Sequence, residues 1–269
     1  MKNPPQNLPR LKITRFDSCD STNRLLLNAA DAGASPGSVF VAREQLAGRG
    51  RRGREWLAAP GESLTFSLLW TFEPDPVRLT GLPLVVGLSV VRALSALSVG
   101  QETDVKLGLK WPNDLLLARP DDSYAKVGGV LVESALRSGA NGIKELAVVI
   151  GIGLNCGDSA AIQQRVLDQQ VGSLAGLWHE RISSEQVLSA VVDQLFIDLS
   201  LFGEQGFAAF SEAWNAVDLW QNRLVKVCEQ GDVLQEGMCL GVDADGALCI
   251  ETAVGIKRIV SGDVSLRKV

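Results

Sequence analysis

The spacing of apolar residues changes twice along this chain, and those changes limit the folds open to it more than any other feature. Through about residue 155, short strand-like runs alternate with helical stretches; residues 160–218 are helical; the remainder returns to short strands. In the first part, Asp20-Ser21-Thr22-Asn23 precedes Arg24 to Ala30, a capping segment opening a helix that Gly33 can end. Val39-Phe40-Val41-Ala42 reads as a strand leading into an arginine-rich loop, and residues 63–72 as another strand. A helix near residues 80–98 is followed by strand-like runs at 105–111, 127–134 and 146–152. In the helical region Ser183 and Gln186 have capping-box spacing. Val187, Leu188, Val191, Val192, Leu195, Phe196 and Leu199 follow at helical spacing and would bury one face. Around Asp218 to Asn222 the period changes again. Short strands at 224–227, 238–242, 247–251 and 257–260 are separated by turns at Gly231-Asp232, Asp245-Gly246 and Gly262-Asp263. The expected organisation is a loose polar arm (1–10), a larger unit of helices and strands (11–219) and a small β-module (220–269). The last is near the lower size limit for independent folding, so it should pack on the larger unit.

Composition narrows the function. The chain has 269 residues and a net charge of −5, which argues against a general nucleic-acid binder with a broad basic face. Arginines concentrated in one loop of an acidic protein imply a local anionic ligand instead. Cys19, Cys156, Cys228, Cys239 and Cys249 form no CxxC pair, and His179 is the single histidine. Neither a zinc site nor a disulfide framework is expected, and free thiols fit a reducing cytoplasm. His179 reads as a surface or helix-end residue without a catalytic part. The start, MKNPPQNLPR, lacks the apolar core of a signal peptide. The apolar stretch 79–99 contains Gly81, Pro83, Gly87 and Arg92. An arginine near the centre of a span costs about 2.5–3.5 kcal/mol, so a core helix is the better reading and no membrane association is expected.

The arginine loop is Gly48-Arg49-Gly50-Arg51-Arg52-Gly53. It satisfies GxGxxG, and Glu73 follows at the spacing a dinucleotide-binding fingerprint asks. That fingerprint also needs a helix after the loop, and here Pro60-Gly61 and a strand come next. Glycines instead let the backbone approach a ligand, and guanidinium forks suit carboxylate or phosphate. Without an anion, such a cluster should repel itself and stay loose. Alone, it would be read as a solvated turn. Three further segments accompany it. Lys110-Trp111-Pro112-Asn113-Asp114 gathers a lysine, an amide and a carboxylate where a strand ends, suited to a phosphate contact, an orienting amide and a group able to hold Mg²⁺. Lys126-Val127-Gly128-Gly129-Val130-Leu131-Val132-Glu133 sets a lysine at the head of a strand with paired glycines, a mark of close ligand approach. Gly151-Ile152-Gly153-Leu154-Asn155 ends a buried strand in small residues and an amide. Each alone has a bland counterpart: a polar hairpin turn, a surface lysine, a tight turn after a core strand.

Together and in this order, DSTN, AGRGRRG, KWPND, the lysine-headed GG strand and GIGLN resemble the biotin–protein ligases, over nearly the whole chain from Leu11. The resemblance implies an α+β fold: a mixed β-sheet with helices packed on it, as in class II synthetase catalytic domains, followed by a small C-terminal SH3-like β-barrel. It implies a ligase that joins biotin to ATP as biotinyl-5′-AMP, with Mg²⁺. Biotin then passes to one lysine of a biotin carboxyl carrier protein, an acetyl-CoA carboxylase subunit. Carried over by motif, Ser21, Thr22 and Asn23 line the biotin end. Gln45, Arg49, Gly50 and Arg51 contact biotin and close over the adenylate. Lys126 meets the biotin carboxylate and the reacting phosphate, and Trp56 covers the adenine side. Lys110, Asn113, Asp114 and Asn155 belong to the nucleotide and metal region, with Asp114 a candidate helper in removing a proton from the carrier lysine. Lys126, Arg51 and Asp114 are the expected catalytic residues. A cytoplasmic homodimer joined through sheet edges is implied as well. Some family members carry an N-terminal winged helix and repress transcription; this chain starts too late for one, so a monofunctional ligase without DNA binding is expected. Alternatives left open are a lipoate–protein ligase, sharing fold and adenylate chemistry, and a non-catalytic nucleic-acid adaptor using the arginines.

Overall fold

A computed structural model describes residues 9–75, 79–98, 103–139, 142–167, 169–178, 182–229, 232–260 and 264–268. Residues 1–8 of the expected arm, His179, and the turn residues Gly231, Gly262 and Asp263 lie outside them.

Seven strands form one mixed sheet: β1 (Lys12–Cys19), β2 (Ser38–Gln45), β3 (Ser63–Phe72), β4 (Lys106–Lys110), β5 (Asp114–Ala118), β6 (Tyr124–Ser138) and β7 (Lys144–Asn155), in the order β1-β2-β3-β7-β6-β5-β4. Only the β1–β2 pair is parallel. Its crossover is α1 (Thr22–Asp31), which covers one face of the sheet. The other face carries α2 (Leu82–Leu97) and α4 (Ser184–Gln205), with the short α5 (Ser211–Asn215) against α2; the single turn α3 (Ala160–Gln163) comes between β7 and α4 in the chain.

Covering both faces explains why β7 reads as an apolar run from Leu146 to Leu154 and why β3 is buried from Ser63 to Trp70, its serines and Thr65 included. Successive side chains point to opposite faces. Leu69, Ala147 and Val149 pack with Leu26 and Ala30 of α1. Their neighbours Leu68, Trp70, Val148 and Ile150 join α2 and α4 in the main core. The capping box expected at Ser183 and Gln186 is formed, and α4 buries Val187, Leu188, Val191, Val192, Leu195, Phe196, Leu199 and Phe202. Each such burial contributes about 1.5–3 kcal/mol. By length and composition α4 could cross a membrane. Its inner face is instead spent on the sheet and on α2. Arg92 of α2 donates to Asp198 of α4 at 2.9 Å, and Ser89 donates to the same carboxylate at 2.8 Å. This is a buried charge made tolerable by partners.

The C-terminal strands β8 (Leu224–Glu229), β9 (Asp232–Val242), β10 (Leu248–Thr252), β11 (Gly255–Ile259) and β12 (Val264–Lys268) form an antiparallel, SH3-like sheet in the order β11-β10-β9-β8-β12. It packs on the larger unit as expected. Val225, Val227, Cys239, Val242, Leu248 and Ile250 belong to the same continuous core as α2 and α4. Trp111 donates from Nε1 to the carbonyl of Gly246 at 3.2 Å, and the Asn215 amide exchanges two hydrogen bonds with the backbone of Val242.

The strands differ from the sequence expectation in several places: β12 was not expected, and β9 begins at Asp232, six residues before the expected 238–242 run. β1 and β5 were not expected, and β6 is longer than the 127–134 run. Where residues 160–171 were expected to be helical, the described residues of that stretch hold a single α-helical turn, α3. Gln163 explains the irregular path: its amide bonds the backbone of Val166, Gln169 and Val171, which holds the chain off a helical course.

Candidate functional site

A cavity of about 310 Å³ opens where the loops after β2, β4 and β7 meet the start of α1, and the residues expected to bind ligand or act in catalysis all line it. Ser21, Thr22 and Asn23 come from the head of α1, Gln45 from the end of β2, and Arg49, Gly50, Arg51 and Trp56 from the arginine loop. Lys110, Asn113 and Asp114 come from the β4–β5 hairpin, Lys126 from β6 and Asn155 from the end of β7.

The floor follows from strand register. Thr65, Gly153 and Gly129 lie in one row across β3, β7 and β6; Ser67, Gly151 and Leu131 lie in the next. Missing side chains in these rows make the space. A Cβ on Gly153 would collide with the Trp56 indole, and one on Gly151 with the Asn23 amide. Sequence reading noticed the glycines but not the cross-strand rows they form.

One end of the cavity is neutral and hydrogen-bonded. The Thr22 amide donates to Gln45 Oε1 at 2.8 Å, and its hydroxyl lies 3.1 Å from the same oxygen. Ser67, fully buried, donates to Asn23 Oδ1 at 2.5 Å and sits 2.7 Å from Thr22 Oγ1. The amide carbonyl of Gln45 is thereby used, which presents its NH₂ end as a donor. Ser67 was read only as part of a strand.

The middle is cationic. Lys126 Nζ lies 2.6 Å from Asp114 Oδ1, and Lys110 Nζ 3.9 Å from Oδ2. Burial pushes the Asp114 carboxyl up. Lys126, Lys110 and Arg51 more than offset this and hold it below its ordinary value. Asp114 is thus an ionised counter-charge for the lysines, which makes it a weak base for a carrier lysine. Arg51 reaches Asn113 Oδ1 at 3.5 Å. Burial, and then Arg52 and Arg54, lower its pKa, with Asp114 opposing.

The arginine loop is drawn into a small hairpin, closed by a bridge between Arg49 and Glu55. Trp56 N–H donates to the Gly48 carbonyl at 2.9 Å and Gly50 N–H to that of Arg54 at 2.8 Å. Arg49 faces Glu133 at 3.3 Å, and Glu55 pairs with Arg165 across the mouth. These acids supply counter-charge against the repulsion among the arginines. Arg52 has φ 61°, a left-handed conformation uncommon outside glycine, and Gly53 follows at φ 70°. After the loop comes β3, so the helix required by a dinucleotide fingerprint is absent at that place.

The far end is a flat shelf. Trp56 lies on the Gly129–Gly153 row, with Lys126 Nζ 5.9 Å from its ring centroid. Trp56 Nε1 and Asn155 Oδ1 are buried without a hydrogen-bond partner among the described residues. Buried polar atoms of this kind cost free energy until a ligand satisfies them. Ile162, Arg165, Val166, Leu167, Gln169 and Val171 form the facing wall. They are held by Lys126 N–H donating to the Gln170 carbonyl and Gly172 N–H to that of Lys126, 2.8 Å each. This wall was missed in the sequence because it has no regular period. The cavity therefore suits a ligand with a neutral polar head, an anionic centre and a planar ring.

The Biotin/lipoate A/B protein ligase family model matches residues 15–155, and the Biotin protein ligase C terminal domain model matches residues 222–267. The Bifunctional ligase/repressor BirA of Escherichia coli is 33% identical over 250 residues, covering 92% of this chain and 72% of that protein. The Biotin--[acetyl-CoA-carboxylase] ligase of Paracoccus denitrificans is 30% identical over 248 residues, covering 91% of this chain and 96% of the relative. The solved biotin protein ligase from Aquifex aeolicus in complex with biotin and ATP superposes with a TM-score of 0.73 at 29% identity, over 96% of this chain and 99% of that one. The first model ends with the last strand of the mixed sheet at Asn155, the second begins just before β8 of the SH3-like sheet, and the chain belongs to the Biotin/lipoate A/B protein ligase family, among its biotin–protein ligases.

Proposed function

We propose that this chain is an ATP-dependent biotin–protein ligase that forms biotinyl-5′-AMP and transfers biotin to one lysine of a biotin carboxyl carrier protein, an acetyl-CoA carboxylase subunit. The observation that carries this reading is that a neutral hydroxyl–amide cluster and a lysine–arginine cluster share one cavity, in that order along its floor. Thr22 and Gln45 offer neutral donors and acceptors to the ureido ring of biotin. Its carboxylate then reaches the cationic middle.

There the carboxylate oxygen attacks the α-phosphorus of ATP, and pyrophosphate leaves with the bonding electrons. Two anions must approach each other, and Lys126 and Arg51 offset that repulsion with fixed positive charge. Lys126 is held ready by Asp114, so no charge needs to be moved in from solvent. The planar adenine has Trp56 and the glycine shelf, and Asn155 Oδ1 is an acceptor beside it. The arginine hairpin and the wall at 162–171 shield the mixed anhydride from water. In the second step the carrier amine attacks the biotinyl carbonyl carbon and AMP leaves. No group of three or more His, Cys, Asp or Glu residues that could hold a metal ion occurs among the described residues. Mg²⁺ bound to the triphosphate would offset its charge, and Asp114 is the carboxylate beside the cationic centre that would face it. The outer edge of β1, at the end of the large sheet, supports a homodimer joined by sheet edges, and five free thiols support a cytoplasmic setting.

The test is incubation with biotin, ATP-Mg²⁺ and a carrier domain, followed by mass measurement of the carrier. One added biotinyl group per carrier is expected. Lipoate in place of biotin in ATP–pyrophosphate exchange separates the sister chemistry: exchange with lipoate and none with biotin would overturn the proposal.

A further inference from the structure

We infer that Glu133 is a positioning residue that fixes both the floor of the neutral end and the root of the arginine loop. The inference rests on the ligase reading for its kinetic arm only. Glu133 lies on β6, paired in register with Val149 of β7. One carboxylate oxygen accepts from Asn23 Nδ2 at 2.9 Å; the other faces Arg49 Nη1 at 3.3 Å. The two oxygens of one side chain thus hold two separate walls of the cavity.

Asn23 shows why this matters. It is 3% exposed, and both ends of its amide are engaged by the protein: Oδ1 by Ser67, Nδ2 by Glu133 and, at 3.4 Å, by the Leu131 carbonyl. Asn23 therefore acts as a strut under the pocket. An ionised carboxylate only accepts, so Glu133 dictates which end of the amide faces it. That choice turns Oδ1 toward Ser67, whose hydroxyl touches Thr22, which in turn holds Gln45. Gly151 leaves the space that the amide fills. The charge on Glu133 does separate work, as the counter-charge for Arg49 at the loop root.

Two variants separate these roles. Glu133→Gln keeps an acceptor for Asn23 but loses the charge facing Arg49; Glu133→Ala loses both. Biotin-dependent ATP–pyrophosphate exchange gives the KM for each substrate, and tryptic cleavage at Arg49 to Arg54 of the ligand-free protein reports on the loop. For Glu133→Ala the KM for biotin should rise about tenfold, the scale of one charge-assisted hydrogen bond, with the KM for ATP within about twofold. Both variants should be cleaved faster at the loop, and Glu133→Gln should keep a biotin KM closer to that of the unmodified protein. Equal rises in both KM values, or an unchanged biotin KM with unchanged cleavage, would overturn the inference. If the unmodified protein shows no exchange with biotin, the ligase reading alone fails; cleavage of the variants no faster than of the unmodified protein would then overturn the role of Glu133.

Discussion

Asp114→Asn removes a negative charge held between two lysines while leaving the shape of the side chain. At separations of 2.6 and 3.9 Å from Lys126 and Lys110, the attraction is large. At 4 Å and an effective dielectric constant of about 20, one pair is worth about 4 kcal/mol before desolvation. Removing one partner of a buried pair costs about 3–5 kcal/mol, because the other charge stays behind. Asn keeps one acceptor for a lysine, so the low end, about 3 kcal/mol, is expected. For a protein of this size that lowers the unfolding midpoint by about 6–12 °C. The assay is urea unfolding of both proteins, without ligands, from pH 7 down to pH 3. The folded carboxyl titrates below its ordinary value of 3.8, so the stabilisation is complete above that value. It is lost as the pH falls through the lower, folded-state value. The gap between the two proteins should accordingly be constant near neutrality and close in acid. Equal stability at pH 7, or a gap that widens on acidification, would refute the counter-charge argument.

Asp218 should behave in the opposite sense. Burial raises its carboxyl to about 6, against hydrogen bonds from the Trp220 N–H and the Cys239 thiol. The protein should lose up to about 3 kcal/mol as the pH rises from about 4 through 6, at 1.36 kcal/mol per unit. Asp218→Asn should flatten that slope in urea titrations, and an unchanged slope would count against it. Lys126→Ala should abolish both adenylate formation and transfer in a gel or mass assay with a carrier domain. Near-normal adenylate would remove Lys126 from the reacting centre. Arg51→Ala should release adenylate early, seen as biotinylation of added bystander lysines; release at the unmodified rate would show that Arg51 is not part of the lid.

Local signals were enough for elements whose stability is local. The Ser183–Gln186 box announced α4 because a cap satisfies backbone groups within a few residues, whereas Asp20 to Asn23 marked the start of α1 although Ser21 makes no side-chain cap there and the Thr22 N–H donates to Gln45 instead. The same holds for the motif loops, whose lysines, arginines and amides are chemically conspicuous wherever they lie. β1 was not legible: it is an edge strand whose pairing with β2 is made across α1, and its half-exposed pattern leaves little apolar periodicity. β5 was not legible because its five residues are specified by β4 and β6 on either side. Within the site, sequence named the residues that meet ligands by their chemistry. It could not name Ser67, Glu133 or the wall at 162–171, whose roles come from register and from contacts across more than forty residues of chain. Composition and motifs thus determined which reactive groups are present. Only the tertiary structure decided which of them share a charge, since the pairing of Lys126 with Asp114 and of Arg49 with Glu133 exists only once the sheet has set its strands in register.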